Sequence, residues 1–268
     1  MTLAAAFSHK AAAKTVYKTR LPAALAESAL TADTCRAERV IELNFTRVFE
    51  RATPMLMEGL KTTILISLFA ILIGIVLGLI TCFMGRSRNV VLKGISAVYV
   101  WCIRGTPMIV QAFIVFFGLP QIMQLYINPG FTINPYTAGL ITLSVNAGAY
   151  MSEIFRGGID AVSKGQIEAA RSLGLSRTRT MLKVVLPQAI KISIPSLVNQ
   201  FIITVKDSSI LSVIGLSDIV NQAKVYVGST YDFFPTYITV ALYYLVLISV
   251  LMVISKLVEK KFSYDKKS

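Results

Sequence analysis

The sequence has few of the side chains from which most active sites are built. It contains one histidine, His9, and three cysteines, Cys35, Cys82 and Cys102, at spacings that match no metal or redox motif. An odd number of cysteines without such spacing supports neither a disulfide framework nor a zinc site. The chain also lacks a glycine-rich phosphate loop, an HExxH helix and any catalytic serine, histidine and aspartate set. We therefore expect no enzyme activity and no bound cofactor, and energy from a nucleotide has to come from a partner chain.

Charged residues are scarce as well. They make up 15% of the chain against 54% hydrophobic residues, and the mean hydropathy is +0.65, which is typical of integral membrane proteins. The net charge of +13 would suit nucleic-acid binding, but the lysines and arginines cluster in short segments between apolar runs, where the positive-inside rule places them. We predict an all-α, multi-pass protein of the plasma or inner membrane, with lipid as its surroundings and no nucleic acid as a partner.

Apolar runs divide the chain into five predicted transmembrane helices, because about 20 helical residues span the roughly 30 Å of hydrocarbon. These spans cover residues 59–83, 107–123, 136–155, a stretch that begins near 190, and 233–257. Residues 90–103 are apolar too but lead into Arg104, which would cost about 2.5 to 3.5 kcal/mol in mid-membrane. We predict an elbow helix there, followed by a span with Thr106 as its cap and Pro107 at its first position. The basic connections place the N-terminus outside and the C-terminus in the cytoplasm.

The first 44 residues differ in composition from the rest. They are rich in alanine, mixed in charge and without the apolar core of a signal peptide. We expect residues 1–44 to be a disordered extension or an artefact of the start site, with an interfacial amphipathic helix as the alternative. The membrane domain is then expected over residues 45–262, and residues 263–268 form a basic cytoplasmic tail.

A polar and basic segment, residues 163–188, separates the third and fourth predicted spans on the cytoplasmic side. Ser163 and Gln166 match a capping box, which predicts a short helix with Glu168 in its positive first turn. Two alanines follow Glu168 and keep one face of this helix narrow enough to dock in a groove of another protein.

The same segment contains signals for helix ends. Gly174 predicts a left-handed stop for the first helix, and Ser176 can cap a second helix that runs to Val185. Pro187 then predicts a break before the next span. Two short basic helices joined at a glycine also match a DNA-binding helix-turn-helix, and a charged insert can be only a solvated loop.

Polar residues are few within the third and fourth predicted spans. Because polar and ionisable groups in a membrane are costly, they are candidates for lining a transport pathway. An adjacent lysine and aspartate could equally cap and pin the helix bundle. The candidates are Asn146, Glu153, Asn199, Lys206 and Asp207.

The segment 163–188 resembles the EAA loop of permease subunits of ABC-type importers. The pattern of Glu-Ala-Ala, a glycine four residues later and a downstream Leu-Pro is met by Glu168, Ala169, Ala170, Gly174, Leu186 and Pro187. More narrowly, residues 43–262 look like the polar amino acid subfamily, which includes histidine, glutamine and arginine permeases. Its stretches appear in order as RGTP from Arg104, NAGAYMSEIFRGGI from Asn146, KGQIEAARSLGLS from Lys164 and KDSSILSVIG from Lys206.

The resemblance implies a type I importer architecture and a transport role. The EAA helix would be a coupling helix that sits in a cleft of a cytoplasmic ATP-binding subunit, which uses ATP and Mg²⁺. The other implied partners are an extracytoplasmic amino acid-binding protein and a second permease subunit, identical or not. An ion-gradient-driven transporter or channel is the alternative, although the inverted repeats common in such proteins are not evident. A membrane-anchored DNA reader is disfavoured, because both ends of the segment reach a span within about ten residues.

Overall fold

The computed structural model describes residues 44–263, and side chains as far as Lys261. The predicted extension, residues 1–44, lies outside the described residues except for Asn44. The predicted tail, 263–268, also lies outside them except for Ser263.

Every regular element over residues 44–263 is helical, which confirms the all-α prediction. The helices are α1 Phe45–Gly85, α2 Val90–Gly105, α3 Met108–Tyr126, α4 Pro135–Asp160, α5 Lys164–Ser172, α6 Arg177–Ile214, α7 Ile219–Thr230 and α8 Phe233–Ser263. Helices α3 and α6 each include a π-helical turn, and α6 ends in a 3₁₀ segment.

Four of these helices, α1, α3, α6 and α8, are long and apolar enough to cross a membrane. Helix α4 has 26 residues, which is sufficient length, but glycine, serine, threonine and asparagine take many of its positions. Its mean hydropathy is therefore too low for it to count as a candidate span by composition. Many of its side chains are nevertheless buried among the other helices. Length and composition thus identify four of the five predicted spans.

Helix α1 begins 14 residues before the predicted start at Gly59 and continues through Pro54. Its first turns carry several charges, which is why the sequence did not indicate a span there. Every fourth residue is apolar and fully buried, as at Val48, Ala52 and Leu56, and these side chains form a cluster with α7 and α8. The early part of α1 is therefore held by packing against distant parts of the chain.

Helices α1 and α4 run side by side in the same direction. Gly139 lies against Ile66, Ala147 against Gly74, and Met151 against Gly78, so the register between the two helices stays constant. A stripe of small residues on α1, which includes Gly74 and Gly78, is buried in this contact. Small side chains let helix backbones approach closely in lipid. At the far end Arg86 pairs with Asp160 at 2.6 Å, in nearly the same register.

The segment between α6 and α8 is helical rather than an extended loop. Helix α7 is capped at its N-terminus by the fully buried Asp218, whose carboxylate accepts hydrogen bonds from the backbone N–H groups of Asn221 and Val220. Burial is the main cause that raises the pKa of Asp218 to about 6. The Asp218 backbone passes close to Gly59 of α1, where a β-carbon would lie 2.8 Å from the Asp218 carbonyl oxygen. Gly59 therefore allows the start of α7 to lie against α1.

We expect Gly78→Ala to destabilise the protein, because the added β-carbon would lie 2.6 Å from that of Met151. Overpacking of this kind costs about 1 to 3 kcal/mol. The matched control is Gly94→Ala in α2, where nothing lies within 4 Å of the added carbon. Thermal unfolding in one detergent should show a lower midpoint for the first variant only. Equal midpoints for both variants and the wild type would contradict the close α1–α4 contact.

Candidate functional site

The predicted helix in the 163–188 segment is present as α5, but its N-terminus differs from the expectation. Ser163 is the cap residue, yet its side chain makes no capping hydrogen bond. Gln166 does not reach back to the cap; its side-chain oxygen accepts a hydrogen bond from Gln188 Nε2 of α6 at 2.5 Å. The prediction of a capping box is therefore wrong, because the Gln166 side chain that would complete it is hydrogen bonded to α6 instead. Glu168 lies in the second turn, so its predicted place beside the positive end of the helix is also wrong.

The C-terminus of α5 matches the prediction at Gly174. This residue has φ +83°, in the left-handed region. The N–H of Leu175 donates to the carbonyl of Ala170, and the N–H of Gly174 donates to that of Arg171. This is the Schellman arrangement, which satisfies the last carbonyls of a helix. Ser176 then accepts a hydrogen bond from the N–H of Arg179 and caps α6 as predicted.

Helix α5 has one face packed and one face open. Ala170 is buried, and Ile167 packs against the hydrophobic cluster that includes Val185 of α6. On the other side Glu168 and Ala169 are exposed. Leu173, at the helix end, is 84% exposed. The open face of α5 therefore presents a charged, a small and an apolar side chain to the surroundings.

Leu186 and Pro187 lie within a continuous helix, so the predicted break at Pro187 is wrong. A π-helical turn, Met181–Val185, precedes the proline, and the N–H of Leu186 donates to the carbonyl of Met181 five residues back. A proline ring would clash with the carbonyl four residues back in a regular helix and has no N–H to bond it. The wider turn accommodates the ring, so α6 continues without ending. The first turns of α6 contact α5, which brings the six predicted coupling residues into one region.

The five predicted pathway residues do not converge on one pocket. Asn146 and Glu153 lie seven residues apart on α4 and therefore share a face, and Asn199 and Lys206 are similarly spaced on α6. Asn199 and Lys206 are exposed, and Asp207 is partly buried. Over residues 44–261, no hydrogen bond or ion pair joins the α4 side chains to those on α6, and neither Lys206 nor Asp207 forms a salt bridge.

Glu153 lies between two arginines. Arg156, one turn away on α4, donates a short hydrogen bond to Glu153 Oε2. Arg104, at the end of α2, approaches the same oxygen to 3.3 Å and stacks over the ring of Tyr150 at 5.3 Å. These three charged groups carry a net charge of +1 and are partly exposed. The cluster therefore ties α2 to α4 while leaving polar groups accessible.

Asn146 is buried and contacts a residue that sequence reasoning missed, Gln111 of α3. Asn146 Nδ2 donates to Gln111 Oε1 at 3.1 Å. Gln111 Nε2 donates to the carbonyls of Ile103 and Thr106, at 2.7 and 3.0 Å, and lies 3.0 Å from the Thr106 hydroxyl. A glutamine in an apolar run was the only available signal for this contact.

Thr106 does not cap α3 as predicted. Pro107 is in the cap position and Met108 is the first helical residue. The Thr106 hydroxyl donates back to the carbonyl of Cys102 in α2 at 2.8 Å. The hydroxyl therefore satisfies the end of the preceding helix rather than the start of the next one.

Comparison with known proteins adds to this geometry. Residues 70–264 match the family described as binding-protein-dependent transport system inner membrane component. The chain is 39% identical over 208 residues to the arginine transport system permease protein ArtQ of Bacillus subtilis, covering 78% of this chain and 92% of that relative. It is 35% identical over 210 residues to the glutamine transport system permease protein GlnP of Escherichia coli K12, covering 78% and 94%.

Solved structures are similar as well. The membrane chain of an amino acid ABC transporter crystallised with histidines is 39% identical and superimposes with a TM-score of 0.73, over 78% of this chain and 94% of that one. A chain of the MetNI methionine ABC transporter in an inward-facing conformation has a TM-score of 0.65 at 19% identity, covering 78% and 96%. The second likeness concerns the fold alone.

We expect Gly174→Ala to open the end of α5, because a left-handed alanine costs roughly 1 to 2 kcal/mol. Gly165→Ala is the matched control: it lies within α5 and its added carbon meets only ordinary contact, 3.7 Å from the Ser163 hydroxyl. Hydrogen exchange at the Leu175 amide should be about tenfold faster in the first variant, since about 1.4 kcal/mol is a factor of ten. Unchanged exchange there would show that the left-handed turn does not hold the helix end.

Proposed function

The chain belongs to the family of binding-protein-dependent transport system inner membrane components, and we propose that it forms the membrane pathway of an ATP-driven importer for polar amino acids. It is a transport subunit rather than an enzyme, and ATP hydrolysis belongs to a partner subunit. The two relatives named for arginine and glutamine, and the solved amino acid transporter, support the substrate class.

We place five spans in the membrane, with α4 as the third. Helix α4 runs parallel to α1 with a constant register from Gly139 to Met151, so it occupies the same depth as the middle of a candidate span. Its crossing also puts the basic segments after α1, between α4 and α6, and after α8 on one side. On this basis we propose that the N-terminus lies outside and the C-terminus in the cytoplasm.

The observation that carries the coupling role is the open face of α5, with Glu168, Ala169 and the 84% exposed Leu173. We assign this face, with Gly174, Leu186 and Pro187 supporting it, to docking in a cytoplasmic ATP-binding subunit that uses ATP and Mg²⁺. Closure of two such subunits would move α5. Because α5 is joined to α4 by three residues and bonded to α6 through Gln188, that movement would rock the spans as rigid bodies.

We assign the transport pathway to the polar residues of α4 and α6. The five candidates differ in how exposed their side chains are. Glu153, Asn199 and Lys206 have accessible surface, Asp207 is partly buried, and Asn146 is buried and hydrogen bonded. A zwitterion needs both charge signs along its route, and these residues supply them. A second permease subunit would complete the pathway, and an extracytoplasmic binding protein would deliver the amino acid.

Reconstitution tests this function directly. The chain with its ATP-binding subunit is placed in proteoliposomes, and the binding protein is loaded with arginine, histidine, glutamine or leucine. We expect a polar amino acid to stimulate both ATP hydrolysis and uptake, and leucine to do neither. Uptake that follows an ion gradient without the ATP-binding subunit would instead establish a secondary transporter.

We expect Glu168→Lys to reduce uptake about tenfold or more, the effect of about 1.4 kcal/mol, while the protein still inserts in the membrane. A charge reversal on the open face of α5 would oppose docking. Glu259→Lys is the matched control, because Glu259 is also exposed but lies near the end of α8. Uptake and ATP hydrolysis are measured on the same vesicles. Equal uptake by the Glu168 variant and the control would remove α5 from the coupling surface.

A further inference from the structure

The junction between α2 and α3, residues 103–107, leaves a backbone acceptor without its usual partner. In a continuous helix the carbonyl of Ile103 would accept from the N–H four residues later, but that residue is Pro107, which has no N–H. The side chain of Gln111 supplies the missing donor, with Nε2 at 2.7 Å from the Ile103 oxygen. The same amide donates to the carbonyl of Thr106 at 3.0 Å. Gln111 therefore holds the end of α2 against the start of α3.

The other end of the Gln111 amide contacts α4. Its oxygen accepts from Asn146 at 3.1 Å, and both side chains are buried. Gln111 has two N–H donors and one acceptor oxygen, and all of these groups face a partner here. Neighbouring Ala112 and Ala147 are fully or almost fully buried, so the hydrogen bond between Gln111 and Asn146 is shielded from water, while the bonds to the junction are partly buried. One side chain thus joins the junction of two helices to a third helix.

Further contacts join the same junction to α4. Arg104 lies 3.3 Å from Glu153, two turns along α4 from Asn146. The hydroxyl of Tyr99 in α2 donates to the backbone carbonyl of Val145 at 2.6 Å. The junction is thus attached to α4 over residues 145–153, and α4 leads into α5 through only three residues. Among these contacts between the junction and α4, the hydrogen bond from Asn146 to Gln111 is the one that joins two buried side chains.

We infer that Gln111 is a positioning residue that makes the α2–α3 junction and α4 move as one body, so that movement of α5 reaches the second predicted span. This inference rests on the proposed coupling role of α5. It gives the buried Asn146 a task that does not need contact with the transported amino acid. It also explains why a glutamine occupies a position that is 8% exposed between apolar neighbours.

The test compares Gln111→Glu, Gln111→Leu, Asn146→Leu and the double variant Gln111→Leu/Asn146→Leu in the complete complex. Uptake per ATP hydrolysed is measured in proteoliposomes, together with the KM and maximal rate of uptake. Gln121→Leu is the control, because Gln121 lies on the same helix and is exposed. The amount of assembled complex after size-exclusion chromatography shows whether each variant folds.

We expect uptake per ATP to fall about tenfold in Gln111→Leu, with the maximal rate rather than KM changed, because the carbonyls of Ile103 and Thr106 lose the donor that ties them to α4 through Asn146. Gln111→Glu has the same shape, and burial beside two carbonyl oxygens favours its neutral form, whose single O–H can bond only one of the two carbonyls. Uptake per ATP should therefore fall, but less than in Gln111→Leu. The double variant should be no worse than Gln111→Leu alone, because the two residues act through one contact.

Two results would overturn the inference: Gln111→Leu that assembles and transports like the wild type, or losses in the two single variants that add in the double variant. Additive losses would mean that Asn146 acts without Gln111, for example on the transported amino acid. ATP-driven uptake by the wild type and Gln121→Leu tests the proposed function separately, so failure of the function and failure of the inference give different results.

Discussion

The parallel contact between α1 and α4 is the arrangement on which the other helices depend. Gly74 and Gly78 remove the side chains that would separate the two backbones, and Ala147 and Met151 take the space. Apolar helices in lipid gain little from hydrophobic burial, so close van der Waals contact has to hold them together. Helices α2 and α6 then pack on α4, and α7 and α8 pack on α1. A polar and small-residue helix such as α4 is stable there because its neighbours cover it.

A second constraint is that a backbone hydrogen-bonding group left free within a membrane protein needs a partner. Two prolines, Pro107 and Pro187, cannot donate a backbone hydrogen bond, and the chain compensates for this in a different way at each. At Pro187 a π-helical turn widens α6 so that the helix continues. At Pro107 the helix ends, and Gln111 bonds the freed carbonyl. The first solution keeps α6 continuous beside α5. The second makes the bend between α2 and α3 depend on a side chain that also contacts α4, which links the geometry of the bend to that helix.

The sequence predicted helix ends and caps correctly where the hydrogen bonds that form them join residues within about one helical turn. The left-handed end at Gly174 and the cap at Ser176 were predicted correctly. Predictions failed where distant residues compete for the same groups. Gln166 bonds Gln188 and so cannot complete a capping box. The charges at the start of α1 are typical of a loop, yet this segment is helical because α7 and α8 cover Val48 and its neighbours.

By itself the sequence determined the membrane class, four of the apolar spans and the place of the polar segment 163–188 between two of the predicted spans. These follow from composition and from spacing along a helix, which any helix of this sequence would share. Only the tertiary structure decided which polar residues are accessible and which are engaged. Asn146 and Gln111 are 35 residues apart in the chain. Their hydrogen bond exists because α3 and α4 pack side by side, and periodicity within one helix carries no information about its neighbour.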